Sequence, residues 1–382
     1  MPDKPIFRND VAGPAVHALI IGVGRYPHLT GGGKAQVAQT EGMGQLSSAP
    51  VSARAFAQWL LAGDGFQHPA NLPIGSVRLL LSEKTSKPFK HPQTGAASKP
   101  PQAIVNEVKD AISGWVADLD KDADHLGLFF FSGHGVTAGL NQALLLSDFG
   151  EDPANAYDPA IRFEDFHLGL TRVKARAQVF FIDACRSHSE AFADTFGAGG
   201  RPFVLPSQLI KHARPRAAPV FNASLLGEQA FGLKDKPSLF TQALLDAVRG
   251  AGSDNSDAET EWNVDALMLS AGIEFLQGQA AKRAKLGRAP VNPINHGERM
   301  LLHRLRAPPV VPITAVCQPE AEVVEFAWNT LKWKLNGLEP FVPVGVQTFT
   351  AKAHGSPALA GSTQRTVRPP FTKVTIPLVE GE

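Results

Sequence analysis

Four short runs of the sequence are apolar at nearly every successive position: 17–23 (HALIIGV), 77–81 (VRLLL), 126–131 (LGLFFF) and 178–182 (QVFFI). Strands with one wet face alternate apolar and polar residues, so runs like these read as strands buried on both faces, as in a parallel sheet. Helical patterns separate them. In 101–119, Ile104, Val108, Ile112 and Trp115 fall on one helix face, and 53–61 is a shorter candidate. The stretch 237–249 opens on Pro and Ser and stops at Gly250. A further helix is expected over 264–285, with Asn263 as its cap. Strand and helix in alternation specify an α/β domain with right-handed crossovers and helices on both faces. Two long gaps, 30–48 and 186–219, interrupt the pattern, and loops of that length are commonly functional.

The texture changes after residue 305. Residues 307–312 (APPVVP) read as a stiff linker, and beyond them alternating stretches such as 342–350 and 373–378 are separated by Gly, Ser and Pro. The expected division is a domain over 14–305 and a small β-rich C-terminal module over 313–382. Lys+Arg 37 against Asp+Glu 36 leaves a formal charge of +1, without the basic excess of a nucleic-acid binder. Two cysteines, Cys185 and Cys317, allow neither a disulfide framework nor a four-thiolate zinc site. The first ten residues do not form a signal peptide, and no apolar run approaches the roughly 18 residues that span a bilayer. The expectation is a cytoplasmic protein that binds neither membrane nor nucleic acid.

Ligands of open α/β sheets sit at the carboxyl ends of the strands. One buried strand ends Phe131-Ser132-Gly133-His134-Gly135, another Ile182-Asp183-Ala184-Cys185-Arg186. If those strands are neighbours, His134 can take the thiol proton of Cys185 or stabilise its thiolate, the minimum for attack on an acyl carbon. The amides of Gly135 and Cys185 are candidate oxyanion donors. Side chains two apart on a strand point the same way, so Ser132 accompanies His134 and Asp183 accompanies Cys185. An acid beside a thiol disfavours the thiolate, so Asp183 needs another purpose, and recognition of a cationic substrate group is the obvious one. Taken singly, a strand-end His is commonly a surface residue and a lone Cys a small buried hydrophobe. Their joint occurrence at two buried strand ends favours chemistry.

These residues resemble a caspase-like cysteine peptidase of the prokaryotic metacaspase or orthocaspase type, over about residues 14–300. The resemblance is carried by 17–26 (HALIIGVGRY), Phe-Ser-Gly-His-Gly, Asp183-Ala-Cys-Arg and 237–245 (PSLFTQALL). His134 lies 51 positions before Cys185, and a caspase His is generally about 50 upstream of the Cys. The resemblance implies a caspase-like, six-stranded, mostly parallel sheet flanked by helices, with His134 and Cys185 as the dyad. Caspases proper have Gln two before the nucleophile and cut after Asp. Metacaspase-like enzymes have Asp there and cut after Arg or Lys, and this chain has Asp183. Ser132 also matches a residue of the primary pocket in that group. The resemblance therefore implies an endopeptidase that prefers Arg over Lys, within a bacterial stress, cell-death or anti-phage defence cascade. One departure concerns the first helix, where the usual acid of the family is replaced by Ser52 and preference could be looser.

Other signals are weaker. Gly22-Val-Gly24 lacks the third glycine of a dinucleotide fingerprint, and Gly31-Gly-Gly-Lys34 lacks the Ser or Thr of a phosphate loop. Some metacaspases need calcium, for which Asp148, Glu151, Asp152 and Asp158 offer oxygen ligands, although solvated loop acids are the commoner explanation. No other cofactor and no protein-held metal site is expected. Arg214 and Arg216 lie in the long segment after Cys185, where related peptidases are often activated by cleavage. A monomer is expected, acting on protein substrates, with an upstream activating protease or an inhibitory partner. The alternative is a catalytically silent, caspase-fold scaffold protein.

Overall fold

The computed structural model describes residues 4–195, 199–205, 216–225, 234–256, 261–286, 292–294, 300–321, 324–334, 340–354 and 359–380. Strands β1 (Phe7–Arg8) and β2 (Val16–Val23) are followed by α1 (Ser48–Leu61), β3 (Ile74–Ser82), α2 (Val105–Leu119) and β4 (Leu126–Gly133). Next come β5 (Gly135–Ala138), β6 (Asn141–Leu144), α3 (Phe163–Gly169) and β7 (Ala177–Ala184). Then follow β8 (Val220–Asn222), α4 (Leu239–Asp246), α5 (Ala266–Arg283) and β9 (Asn292–Ile294).

The main sheet has the order β1-β3-β2-β4-β7-β8-β9. Its five inner strands are parallel, while β9 and the two-residue β1 run antiparallel at the edges. The expected six-stranded, mostly parallel sheet is therefore present, with β1 as a short seventh strand. Every residue of β2 and β4 is buried, as their continuous apolar runs require. Neighbouring side chains serve opposite faces. Phe130 of β4 stacks on Phe56 of α1 at 4.7 Å between ring centres, while Phe129 meets Phe166 of α3 at 5.2 Å. Trp115 of α2 covers the same face as Phe129, and its indole N–H donates to the His17 carbonyl at 2.9 Å.

Local differences from the sequence reading have identifiable causes. Helix α1 starts at Ser48, five residues before the expected start, because Pro50 falls in the first turn, where amides lack intrahelical partners anyway. Asn263 does not cap α5. It lies in a strand, Asn263–Asp265, and Asp265 Oδ1 accepts the Met268 amide at 2.8 Å instead. The expected linker becomes strand from Val310, since Val310–Gln318 pairs with Phe341–Pro343 and with Thr372–Pro377.

The chain divides into two compact units, Met1–Leu245 with Gln277–Met300, and Asp246–Leu276 with Leu301–Glu382. The second contains three further sheets among the described residues: one of Ser253–Asp254, Asn263–Asp265 and Leu301–Arg304, one centred on Val310–Gln318, and a five-stranded one centred on Gly345–Ala353. Alternate residues of the latter two supply its core, including Ile313, Phe326, Phe349 and Ile376. Cys317 lies within that core at 6% exposure.

At the amino ends of the strands, opposite the rim expected to carry chemistry, the buried Asp118 gathers a charge cluster. Its carboxylate accepts from Arg8 at 3.0 Å, Arg78 at 2.9 Å and Lys121 at 2.8 Å. Burial alone would raise the Asp118 carboxyl, but these bonds hold it well below the usual range. His17 lies beside it and is lowered by burial from 6.5 to about 4. Its folded value lies below its unfolded one, so the unfolded chain binds the proton first. Stability is therefore complete above 6.5 and falls as pH drops towards about 4. In calorimetry across that window, the fall in the melting midpoint should be smaller for His17→Gln than for the parent.

Candidate active site

The strand pairing brings the two chemistry-bearing strand ends together. Strands β4 and β7 are adjacent and parallel, with Ser132 opposite Asp183, 51 residues apart, and Gly133 opposite Ala184. Beyond the sheet, Ser187–His188 pairs with β5 at the same offset, Ser187 opposite Val136. The shared register places Cys185 beside His134 where the strands leave the sheet. Gly135 permits the approach: a Cβ there would lie 2.6 Å from the Cys185 carbonyl oxygen. The Gln142 side chain of β6 donates to that carbonyl at 3.3 Å. Cys185 is partly exposed and His134 is buried.

The imidazole is oriented by the loop between β2 and α1. His134 Nε2 lies 2.7 Å from the Gly44 carbonyl, which can only accept, so Nε2 carries the hydrogen and Nδ1 is left as the basic atom. Burial lowers the His134 pKa and so favours the neutral ring at ordinary pH, while the Gly44 bond opposes that shift. A neutral imidazole with Nδ1 unprotonated can accept a thiol proton. The loop holds its shape through Gln45, whose side chain accepts the Tyr26 amide at 2.9 Å and donates to the Tyr26 and Thr30 carbonyls at 2.9 and 3.0 Å. A Cβ at Gly24 would lie 2.3 Å from the Leu46 carbonyl oxygen, so the loop can close only on glycine there.

Asp183 is buried at the same rim, and its Oδ2 accepts three hydroxyls: Ser132 at 2.9 Å, Ser238 at 2.6 Å and Thr241 at 2.8 Å. Burial raises its pKa, and the hydroxyl bonds, with a contribution from Ser52, oppose the rise. Among the described residues no basic side chain forms an ion pair with this carboxylate. Ser238 precedes α4 as its cap: its Oγ accepts the Thr241 amide at 3.0 Å while donating to Asp183. Ser52, in the first-helix position where the family usually has an acid, is fully buried, and its Oγ accepts the Ser238 amide at 3.0 Å.

Ser132, His134, Gly135, Asp183 and Cys185 thus share one rim. Arg216 lies elsewhere, half-buried, donating to Gln178 Oε1 at 2.9 Å and to the His167 carbonyl at 3.0 Å; Arg214 lies outside the described residues. Three of the four acids considered for calcium have other partners. Asp148 Oδ2 accepts the first amide of α2 at 2.9 Å, Asp152 caps a short turn through the Ala154 amide, and Asp158 pairs with Arg201. No group of three or more His, Cys, Asp or Glu side chains among the described residues is placed to hold a metal ion. No helix among them is long and apolar enough to cross a membrane.

Gly44, Tyr26, Ser238 and Thr241 are not among the expected site residues. Tyr26, Ser238 and Thr241 lie within the segments 17–26 and 237–245 that carry the family resemblance, and Ser238 is also a helix cap after Pro237; Gly44 carries no signal. The bond from Ser238 to Asp183 depends on α4 packing beside β7.

A doubly wound sheet with imidazole and thiol on adjacent strand ends defines a candidate centre for thiol-dependent hydrolysis. The caspase-domain family model matches residues 15–267, and the chain belongs to this family of cysteine peptidases. It is 30% identical over 232 residues to "Uncharacterized protein y4kE" of Sinorhizobium fredii (strain NBRC 101917 / NGR234), a match covering 57% of this chain and 63% of that protein. Among solved structures it is similar to caspase-1 from Spodoptera frugiperda, with 13% identity and a TM-score of 0.42, over 78% of this chain and 94% of that one.

Proposed function

We propose that the chain is a cysteine endopeptidase of the metacaspase type, hydrolysing proteins after a basic residue, Arg in preference to Lys. The observation that carries this reading is Asp183, a buried carboxylate with three hydroxyl donors and, among the described residues, no ion pair, beside His134 and Cys185. Burying a charge without a counterion costs several kcal/mol, roughly. The hydroxyls offset part of that cost, and a substrate cation would offset more. A guanidinium is less strongly hydrated than an ammonium and enters such a site with less desolvation.

In the proposed reaction His134 Nδ1 takes the Cys185 proton, and Sγ attacks the carbonyl carbon after the basic residue. The amides of Gly135 and Cys185 hold the oxyanion. The imidazolium then protonates the leaving amine, and water hydrolyses the thioester with His134 as base. Activation by cleavage in the 186–219 segment belongs to the same reading. Cutting after Arg216 would require its guanidinium to release Gln178 and His167. The wider role, a bacterial stress, cell-death or anti-phage cascade acting in the cytoplasm, rests on the family. Calcium enters as a condition to be tested.

The test is a panel of fluorogenic peptides with Arg, Lys, Asp or Leu at the cleavage position, with and without calcium, before and after limited proteolysis. Turnover is expected with Arg first and Lys second. Absence of turnover on every peptide would favour the silent scaffold, and preference for Asp or Leu would overturn the pocket assignment.

A further inference from the structure

Tyr26 is fully buried just beyond β2 and enters none of the steps above. Strands β5 and β6 pair antiparallel with Gly135 opposite Leu144 and Val136 opposite Ala143. Continued by one residue, that register puts His134 opposite Leu145. A regular hydrogen-bonded pair exchanges two backbone bonds. One of them is present: the Leu145 amide donates to the His134 carbonyl at 2.9 Å. The other is replaced by the phenol. The His134 amide donates to Tyr26 Oη at 2.8 Å, and Oη donates to the Leu145 carbonyl at 3.2 Å. The hydroxyl is thus inserted into the ladder and closes a ring of three bonds around the His134 backbone. Its aromatic ring lies against the imidazole, with centres 4.8 Å apart. Gly133 leaves room for it, since a Cβ there would come within 2.9 Å of Oη.

We infer that Tyr26 is a positioning residue for His134, its hydroxyl wedging the strand open so that the imidazole leaves the sheet at the angle that presents Nδ1 to Cys185. This rests on the reading of His134 and Cys185 as a dyad. The wedge fixes the backbone, the Gly44 carbonyl fixes the ring edge, and the Tyr26 ring fixes the plane. Removing the hydroxyl leaves the ring's apolar packing in place but orphans the His134 amide, so the strand end must close up or drift.

The matched control is Ser82→Ala. Ser82 Oγ accepts the Ala103 amide at 3.0 Å, so this variant also removes a hydroxyl acceptor from one buried backbone N–H, on a strand that carries neither dyad residue. Alkylation of Cys185 by iodoacetamide, located by peptide mapping, would be followed from about pH 6 to about pH 9, a range bracketing the unperturbed thiol value of about 8.5. The parent and Ser82→Ala should give superimposable profiles. His134→Ala should lose reactivity at the neutral end, and Tyr26→Phe should move most of the way to it. With an Arg peptide, Tyr26→Phe should lower kcat about 10- to 100-fold with KM within a factor of about two, the scale of a misplacement near 1 Å. Gly133→Ala, which presses a methyl on Oη, should move both readouts in the same direction and serves if Tyr26→Phe does not fold. A Tyr26→Phe profile and kcat equal to the parent's would overturn the inference. If His134→Ala itself matches the parent, the dyad reading fails and the inference falls with it, an outcome separate from failure of Tyr26 alone.

Discussion

Replacing Cys185 with Ala is expected to reduce turnover of any cleaved peptide by at least about 10⁴-fold, the scale on which removal of a covalent nucleophile acts. Neither of the other polar side chains named at the rim on β4 is free to replace it: Ser132 is hydrogen-bonded to Asp183, and His134 has its Nε2 edge on Gly44. Cys317→Ala provides the contrast. That thiol is a buried member of the C-terminal unit's core, so its loss should affect that unit's stability and leave turnover unchanged. Initial rates of both variants on the best peptide of the panel, with circular dichroism to verify folding, decide the point. Equal loss in both would mean that the effect is structural.

Asp183→Asn should have the next largest effect, and one selective for substrate. The amide keeps the side chain's shape but removes the charge. Losing one partner of a buried, hydrogen-bonded ion pair costs roughly 2–5 kcal/mol, so kcat/KM for Arg peptides should fall about 30-fold or more. The small residual activity on Leu peptides should change little. A purely structural role, with the carboxylate only tying Ser132 of β4 to Ser238 and Thr241 at α4, predicts a different pattern. All substrates would then lose activity together, in step with the melting midpoint. Measuring kcat/KM on Arg and Leu peptides beside thermal unfolding separates the two.

The strands were legible because burial on both faces leaves a one-dimensional trace. Phe129, Phe130, Phe180 and Phe181 must be apolar whichever face they serve. Placing Ser132 with His134, and Asp183 with Cys185, needed only the two-residue period and the adjacency of two strands, which the register of β4 and β7 supplies. The residues that surround them left no such trace. Gly44 acts through its carbonyl, which every residue has, and its place is set by Gln45 folding the loop back on Tyr26. Thr241 reaches Asp183 because α4 returns to β7 from 58 residues away in sequence. The cap of α5 shows the same limit on a smaller scale: Asn263 and Asp265 are both good caps, and the strand pairing of Asn263 with Arg304 decides between them.

The central claim is that Cys185, activated by His134, attacks a carbonyl presented by a basic side chain seated on Asp183. Its most direct test is intact-mass analysis and peptide mapping after incubation with a peptidyl-Arg acyloxymethyl ketone. This account predicts a single adduct, on Cys185, formed much more slowly in His134→Ala and with the matching Asp reagent. An unmodified Cys185, or an adduct that forms equally well with the Asp reagent, would contradict it.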